Sequence, residues 1–243
     1  MKVLAFRLFG DFGHYRPYYT TSSPTTYSLM PPTTIIGVIG AILGLEKDDN
    51  EYYKILTDKK IRIGIHIEGK VKKISMSTNL INTKGNYWVP TGRNSNGPRT
   101  PTRFEFVKDA KYVVYVTMDD HDLLDELAER IKHHCIAYTI SLGLAGLLAD
   151  VEFLFYENAE SHQSDGYITL DSAAPLNALK EERPIEILPG IQYCKEQYVK
   201  SFRENRIPQE YVDVLFATNG VSISVKAKKV YEVGGKKILF INE

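Results

Sequence analysis

The side chains that could do chemistry are concentrated between residues 13 and 34. This segment contains no Asp or Glu, and it carries His14, Arg16 and a series of tyrosines and hydroxyl residues. A guanidinium binds phosphate through charge-assisted hydrogen bonds, and a tyrosine ring offers a face on which a base can stack. The segment therefore predicts a polyanion-binding surface, with contacts from His14, Tyr15, Arg16, Tyr18 and Tyr27.

His14 has more than one possible role. A general base would need a positioned carboxylate or nucleophile, and the neighbouring sequence supplies none. Contact with a phosphate or base requires only exposure on the loop, and a structural role is the other alternative. Thr33 and Thr34 follow Pro31 and Pro32, which predicts a helix that the threonines cap, and a capping hydroxyl can also face a phosphate.

A second acid-free segment runs from Asn82 to Thr102 and is rich in Asn, Gly, Pro and Thr. Loops of this length inside a compact domain are usually functional or disordered. Aromatic rings among cations are typical of nucleic-acid contact, whereas a solvated loop whose Trp packs on the body is the alternative. The predicted RNA contacts here, and directly after it, are Lys84, Trp88, Arg93, Arg99 and Arg103.

Two further groups of residues leave alternatives open. Ser141 and Gly143 could let backbone approach RNA closely, or they could serve tight helix–strand packing. The pair His133 and His134 ends a predicted helix, where histidine complements the helix dipole. With Lys132 the histidines could also serve RNA cleavage, although that would need a second positioned group. No metal-binding motif occurs, so we expect neither a metal nor another cofactor.

Composition describes an ordinary globular chain of 243 residues with zero net charge, which argues against a protein that coats DNA through bulk positive charge. The charge is nevertheless uneven, because nine cations and two acids lie between residues 69 and 118. The two cysteines form no disulfide framework or zinc pattern, and no signal peptide or spanning apolar run is present. We therefore expect a cytoplasmic protein without a membrane partner.

Hydrophobic periodicity predicts an α+β fold. The expected order is strand, helix, strand, strand, helix, strand, the plan of a ferredoxin-like domain and of RNA-recognition modules. We place this domain at residues 1–156, with residues 82–102 inserted, and a mostly antiparallel β domain at residues 157–243. The elements are expected at Val3–Phe9, Thr34–Leu45, Asn50–Thr57, Ile61–Ile67, Lys72–Leu80, Arg103–Met118, His121–Cys135 and Val151–Tyr156. Hairpins are expected at Asn219–Gly220 and at Gly234–Gly235.

Three stretches resemble the Cas five (Cas5) family of CRISPR-associated proteins, within the RAMP superfamily. They are FRLFGDFGHYRPYYTTSSPTTYSLMPPTTIIGVIGAILGL near the start, RTPTRFEFVKDAKYVVYV at residues 99–116, and SLGLAGLLADVEFL after the second long helix. They occur in the family's order and span most of residues 1–156. The short strands expected in the C-terminal part of the chain are also of the kind found in the family.

The resemblance implies a ferredoxin-like domain with a β-hairpin thumb, matched here to residues 82–102, and a small β-rich domain. It implies a non-catalytic subunit that binds the 5′ handle of the CRISPR RNA (crRNA) and caps one end of a type I interference complex, Cascade. Its partners would be the repeated backbone subunit, the large PAM-recognising subunit and, indirectly, target DNA.

Two rival functions differ in class. One branch of the family is a metal-independent endoribonuclease that cuts repeat RNA with Tyr, Lys and His groups. The nearest residues here are Tyr27, Lys132, His133 and His134, and no motif joins them. A ferredoxin-like regulator of small ligands is the other rival, and the long acid-free segments argue against it.

Overall fold

A central antiparallel sheet organises the chain. The computed structural model describes residues 1–20, 24–81 and 99–243. The strands of this sheet are β1 (Lys2–Gly13), β2 (Arg62–Ile67), β3 (Lys72–Ile81), β4 (Arg99–Thr117) and β5 (Asp150–Asn158). Their order is β2-β4-β1-β5, and β3 pairs with the outer part of β4. Every one of these pairings is antiparallel.

Strand β1 crosses the middle of the sheet and is buried on both faces. Its side chains alternate between two core clusters, Val3 and Ala5 in one and Leu4, Phe6 and Leu8 in the other. Packing therefore covers both faces of this central strand. The strand also extends to Gly13, four residues beyond the predicted end.

The helices among the described residues are α1 (Pro32–Leu43), α2 (Glu51–Asp58) and α3 (His121–Lys132). Helix α1 begins with proline at its first position, where a missing N–H leaves no hydrogen bond unmade. Its N-cap residue, Pro31, makes no side-chain capping bond, and Thr33 and Thr34 lie inside the first turn. The prediction that these threonines cap the helix is therefore wrong.

Helix α3 confirms its predicted start. Asp120 is the N-cap, and its carboxylate accepts a hydrogen bond from the Leu123 N–H at 3.0 Å. The helix ends at Lys132, three residues before the predicted end. Helices α1 and α3 pack together on the face of β1 that carries Phe6. None of the described helices has the length and apolar composition needed to cross a bilayer.

The strands after β5 form three further antiparallel sheets. They are β6 (Glu160–His162), β7 (Ile168–Leu170), β8 (Ala174–Pro175), β9 (Ile185–Glu186), β10 (Tyr193–Phe202), β11 (Pro208–Ala217), β12 (Ile223–Val225), β13 (Val230–Val233) and β14 (Lys236–Ile238). The sheet orders are β10-β11-β8, β7-β12-β9 and β14-β13-β6. The fold is thus mixed α/β with mostly antiparallel strands.

One predicted hairpin is confirmed and the other is wrong. Val233 pairs with Lys236 across Gly234–Gly235, as predicted. Asn219–Gly220 does form a turn, in which Gly220 has φ +74°. However, β11 and β12 belong to different sheets, because β12 pairs with β7 and β9. The turn signal is local, whereas the choice of strand partner depends on distant residues.

The largest core cluster joins the central sheet and its helices to residues late in the chain. Tyr198, Phe216 and Ile241 are buried in the same cluster as Leu4 and Ile39. The division of the chain at residue 156 stays a prediction, since these side chains share one core.

The loop between α3 and β5 packs closely on the loop after β1. His14 N–H donates to the Leu142 carbonyl at 2.9 Å. Gly143 has φ +96°, and a Cβ placed there would lie 1.9 Å from the His14 carbonyl oxygen. Only glycine fits this position, because both the left-handed backbone and the contact exclude a side chain.

We expect Gly143→Ala to lower the free energy of unfolding by more than ~1 kcal/mol. Gly146→Ala is the matched control in the same loop, because nothing lies within 4 Å of its Cβ position. The control should stay within about 0.5 kcal/mol of wild type. Urea unfolding measures both, and equal stabilities of the two variants would contradict the close packing at Gly143.

An ion network lies on the side of the sheet opposite α1. Arg7 donates to Glu68 from Nε at 2.5 Å and from Nη2 at 3.1 Å, and it also pairs with Glu152. Lys111 lies 3.6 Å from Glu68. The hydrogen bonds from Arg7 are the largest cause of a lowered Glu68 pKa.

This shift predicts a pH-dependent effect of Glu68→Gln. A carboxylate whose folded pKa is depressed contributes stability above its ordinary pKa of 4.5, and loses it as pH falls through the folded value. The variant should be less stable than wild type at neutral pH, and the difference should narrow below 4.5. Chemical denaturation at several pH values tests this. Glu157→Gln is the control, because Glu157 is exposed and has no ion pair with a described residue.

Candidate nucleic-acid interface

The loop from His14 to Pro31, here called the first loop, is held by carboxylates from distant strands. Glu105 of β4 accepts the Thr26 N–H at 3.0 Å, and its own N–H donates to the Pro24 carbonyl at 2.9 Å. Glu196 of β10 accepts the Ser28 N–H at 3.0 Å and the Ser28 hydroxyl at 2.8 Å. An acid-free loop thus obtains its carboxylates from its neighbours.

His14 is buried, which favours the structural alternative over contact with a phosphate or base. Its Nδ1 lies 2.7 Å from the Glu105 carbonyl oxygen. Its ring packs edge-on against Phe104 at 5.3 Å between centroids and lies 5.6 Å from Phe106. The two phenylalanines cover the imidazole, which leaves it no surface for a phosphate. In this conformation His14 has a structural role.

Tyr15 and Tyr27 are also buried, and the predicted stacking faces are occupied by protein. The Tyr15 ring packs against Tyr112, and burial raises the pKa of its hydroxyl well above 10.0. The Tyr27 ring lies 4.6 Å from that of Tyr198, and its hydroxyl donates to the Gln197 carbonyl at 2.7 Å. Burial is likewise the main cause of the raised Tyr27 pKa.

Among the described residues of the first loop, Arg16 and the tyrosines of the turn from Pro17 to Thr20 are exposed. Arg16 is exposed, and its Nη2 donates to the Thr20 carbonyl at 2.8 Å. Tyr18 and Tyr19 lie at the middle of the turn, and Tyr18 contacts Tyr211 of β11. We call these three exposed tyrosines, Tyr18, Tyr19 and Tyr211, the tyrosine patch.

A groove of about 1250 Å³ runs along α1 and α2. The first turn of α1 contributes Thr33 and Thr34, and the loop before β5 contributes Ser141 and Gly143. The structure therefore brings together four of the residues predicted from sequence for RNA contact. Thr33, Thr34 and Ser141 are half-buried, and Gly143 is exposed.

The groove also contains cations that the sequence pattern did not single out. Lys47, Lys54, Arg203 and Arg206 line it, alongside the carboxylates of Glu46, Asp49 and Asp58. Arg206 donates to Asn50 at 2.8 Å and to the Tyr52 hydroxyl at 2.7 Å. Lys54 and Arg203 are exposed and have no ion pair with a described residue. Arg203 and Arg206 come from the β10–β11 turn. In the sequence, the paired cations of the segment FRENR were the signal that could have identified them as candidate contacts.

Aromatic side chains complete the groove. Tyr138 is 50% exposed there, and Tyr52, Tyr53 and Phe202 line the same wall. The Tyr53 hydroxyl accepts the Phe202 N–H at 2.9 Å, which ties α2 to the end of β10. Cations, hydroxyls and ring faces are the groups that bind single-stranded nucleic acid.

A two-stranded hairpin extends from the sheet. Strands β3 and β4 pair from Lys72 to Ile81, whereas β1 accompanies β4 only as far as Val107. Arg99 and Arg103 are exposed on the outer part of β4, and neither has an ion pair with a described residue. The prediction of irregular structure at residues 99–102 is wrong, because they belong to β4. Lys84, Trp88 and Arg93 lie outside the described residues.

The groups considered for RNA cleavage are not assembled in the described part of the chain. His133 pairs with Glu129 at 3.1 Å, and His134 lies 3.8 Å from Asp150. Lys132 also pairs with Glu129, at 3.7 Å. No hydrogen bond or ion pair connects Tyr27 to these side chains. The described residues contain no cluster of His, Cys, Asp and Glu suited to a metal ion.

Solved structures with similar folds come from CRISPR systems. A CRISPR protein from Archaeoglobus fulgidus has a TM-score of 0.56 at 15% identity, over 99% of this chain and 100% of that chain. A chain of a CRISPR RNA-guided surveillance complex has a TM-score of 0.53 at 12% identity, over 91% of each. A chain of a Type III-B Cmr-beta complex bound to cognate target RNA and AMPPnP has 0.52 at 12%, over 93% and 86%.

At these identities the likeness shows the fold alone. No curated protein sequence matches the chain significantly. The profile of the family described as CRISPR-associated protein (Cas_Cas5) matches residues 3–183 of the 243, which is well over half of the chain. The predicted family is therefore confirmed, and the chain belongs to the Cas5 family of CRISPR-associated proteins.

Proposed function

We propose that this chain binds the 5′ handle of crRNA and caps one end of a type I CRISPR interference complex without cleaving RNA. The observation that carries the proposal is the α1–α2 groove. It combines the first turn of α1, exposed loop backbone at Gly143 and cations from the β10–β11 turn. The start of a helix favours phosphate through the positive end of its dipole.

The hairpin supplies a second cationic surface. Arg99 and Arg103 are four residues apart in β4 and therefore share one face of the hairpin, where a phosphate backbone could lie against both. Their position at the base of residues 82–98 supports the proposed thumb.

The topology supports the ferredoxin-like prediction. The strand order β2-β4-β1-β5, with α1 and α3 on one face, corresponds to the split βαβ arrangement used by RNA-recognition modules. Similar chains belong to a surveillance complex and to an RNA-bound assembly. We therefore propose crRNA, the repeated backbone subunit and the large PAM-recognising subunit as partners in the cytoplasm, with target DNA contacted indirectly.

The combined substitution of Lys54→Ala and Arg203→Ala tests the groove. On a single strand, each phosphate that the protein no longer neutralises should reduce the slope of log K against log salt by about 0.7, so the double variant should reduce it by about 1.4. Binding of the reconstituted complex to guide RNA, measured over a salt series, gives the slope. Lys228→Ala is the control, because Lys228 is an exposed cation outside the groove. If the double variant keeps the wild-type salt slope and enters the complex as wild type does, the proposed RNA contact of the groove is contradicted.

The non-catalytic role makes a separate prediction. The purified chain, incubated with labelled repeat RNA in EDTA, should leave the RNA intact on a denaturing gel. The same protein should still enter a complex that contains guide RNA. A discrete cut, lost in Tyr27→Phe or in the double variant His133→Ala and His134→Ala, would instead make the chain the processing nuclease.

A further inference from the structure

We infer that the tyrosine patch is a stacking site for an unpaired nucleobase of single-stranded RNA. The inference rests on the proposed function and adds a base-binding position outside the groove. Tyr19 and Tyr211 are not singled out by sequence, because they lie in separate segments that only the fold brings together.

The three rings form one continuous exposed surface. The ring centroids of Tyr18 and Tyr19 are 5.2 Å apart, and those of Tyr18 and Tyr211 are 4.9 Å apart. The exposed fractions are 48% for Tyr18, 65% for Tyr19 and 44% for Tyr211. Aromatic rings that pack against one another usually bury much of their surface. Because these three tyrosine rings remain this exposed, they offer open ring faces to a ligand.

The Tyr18 ring and the turn that carries it are held in place by the protein. The Tyr18 hydroxyl donates to the Gln197 side chain at 3.2 Å. The turn that carries Tyr18 and Tyr19 is closed by the Thr20 N–H, which donates to the Pro17 carbonyl at 3.2 Å. Arg16 donates to the Thr20 carbonyl from the other side. A preorganised ring loses little conformational entropy when a base stacks on it.

The β10–β11 hairpin connects the patch to the groove. Arg203 and Arg206 line the groove at the turn of this hairpin. Tyr211 lies five residues beyond Arg206, and an antiparallel strand rises about 3.4 Å per residue, so about 17 Å of chain at most separates these two residues. A strand of RNA leaving the groove can therefore place a base on the patch.

The surroundings of the rings favour a nucleobase over an apolar protein segment. Gln197 donates from its amide nitrogen to Asp213 at 3.1 Å, and Lys195 pairs with Asp213 at 3.0 Å. These polar groups border the patch on the outward face of β10 and β11. A base presents a ring face to the tyrosines and hydrogen-bonding edges to such a border, which an aliphatic side chain cannot do.

The test uses the full chain and a single-stranded oligoadenylate in which aminopurine replaces one adenine. Stacking quenches aminopurine fluorescence, and aromatic stacking tolerates any base sequence. Combined Tyr19→Ala and Tyr211→Ala should abolish the quench and weaken binding roughly 5- to 150-fold, the equivalent of about 1–3 kcal/mol. Tyr211→Phe should retain both the fluorescence quench and the wild-type affinity, because it keeps the aromatic ring. Tyr167→Ala is the matched control, since Tyr167 is 39% exposed and lies outside patch and groove.

A second oligomer, with an abasic position in place of the aminopurine, separates stacking from general damage. The tyrosine substitutions should cost no further affinity for this oligomer. One outcome is that the tyrosine variant binds both oligomers like wild type while the double variant Lys54→Ala and Arg203→Ala binds weakly. That result would overturn the base-stacking inference and leave the proposed function standing. If the tyrosine variant fails only to join the protein complex, the patch binds a subunit and the inference is also overturned. Wild-type binding by every variant would overturn both proposals.

Discussion

The candidate interface depends on carboxylates that hold an acid-free loop in place. Glu105 and Glu196 accept backbone N–H groups of Thr26 and Ser28, so both anchors use charge-assisted hydrogen bonds, which are about twice as strong as neutral ones. Loss of either acceptor would leave partly buried donors unpaired, at a cost of about 1–3 kcal/mol. Because α1 follows this loop directly, the same bonds set where the helix begins.

The anchored loop links the surfaces that carry the proposed function. Its start packs on Gly143, its middle presents Tyr18 and Tyr19, and its end becomes the first turn of α1. The groove and the tyrosine patch are therefore not independent pieces. A displacement of the loop from β4 or β10 would move both together.

The local sequence pattern predicts the helices and turns well, but it predicts poorly which side chains the fold buries. The 3.6-residue period of α3 and its Asp120 cap are visible in adjacent residues, and the turn at Gly234–Gly235 is equally local. Burial of His14 depends on Phe104 and Phe106, some ninety residues away. Residue type marks the loop as acid-free and aromatic, but only the pairing of distant strands decides which rings are covered.

Under the proposed function, this neutral chain would bind RNA through the placement of its cations rather than through an excess of positive charge. The groove carries lysines and arginines beside nearly as many carboxylates, so its own electrostatic attraction is modest. Stacking then has to supply a larger share of the affinity, and stacking is less sensitive to salt than phosphate contact. Under the proposed function, such a subunit would gain its selectivity from shape and from its neighbours in an assembly. Such a subunit also avoids the indiscriminate nucleic-acid binding that an excess of positive charge would produce.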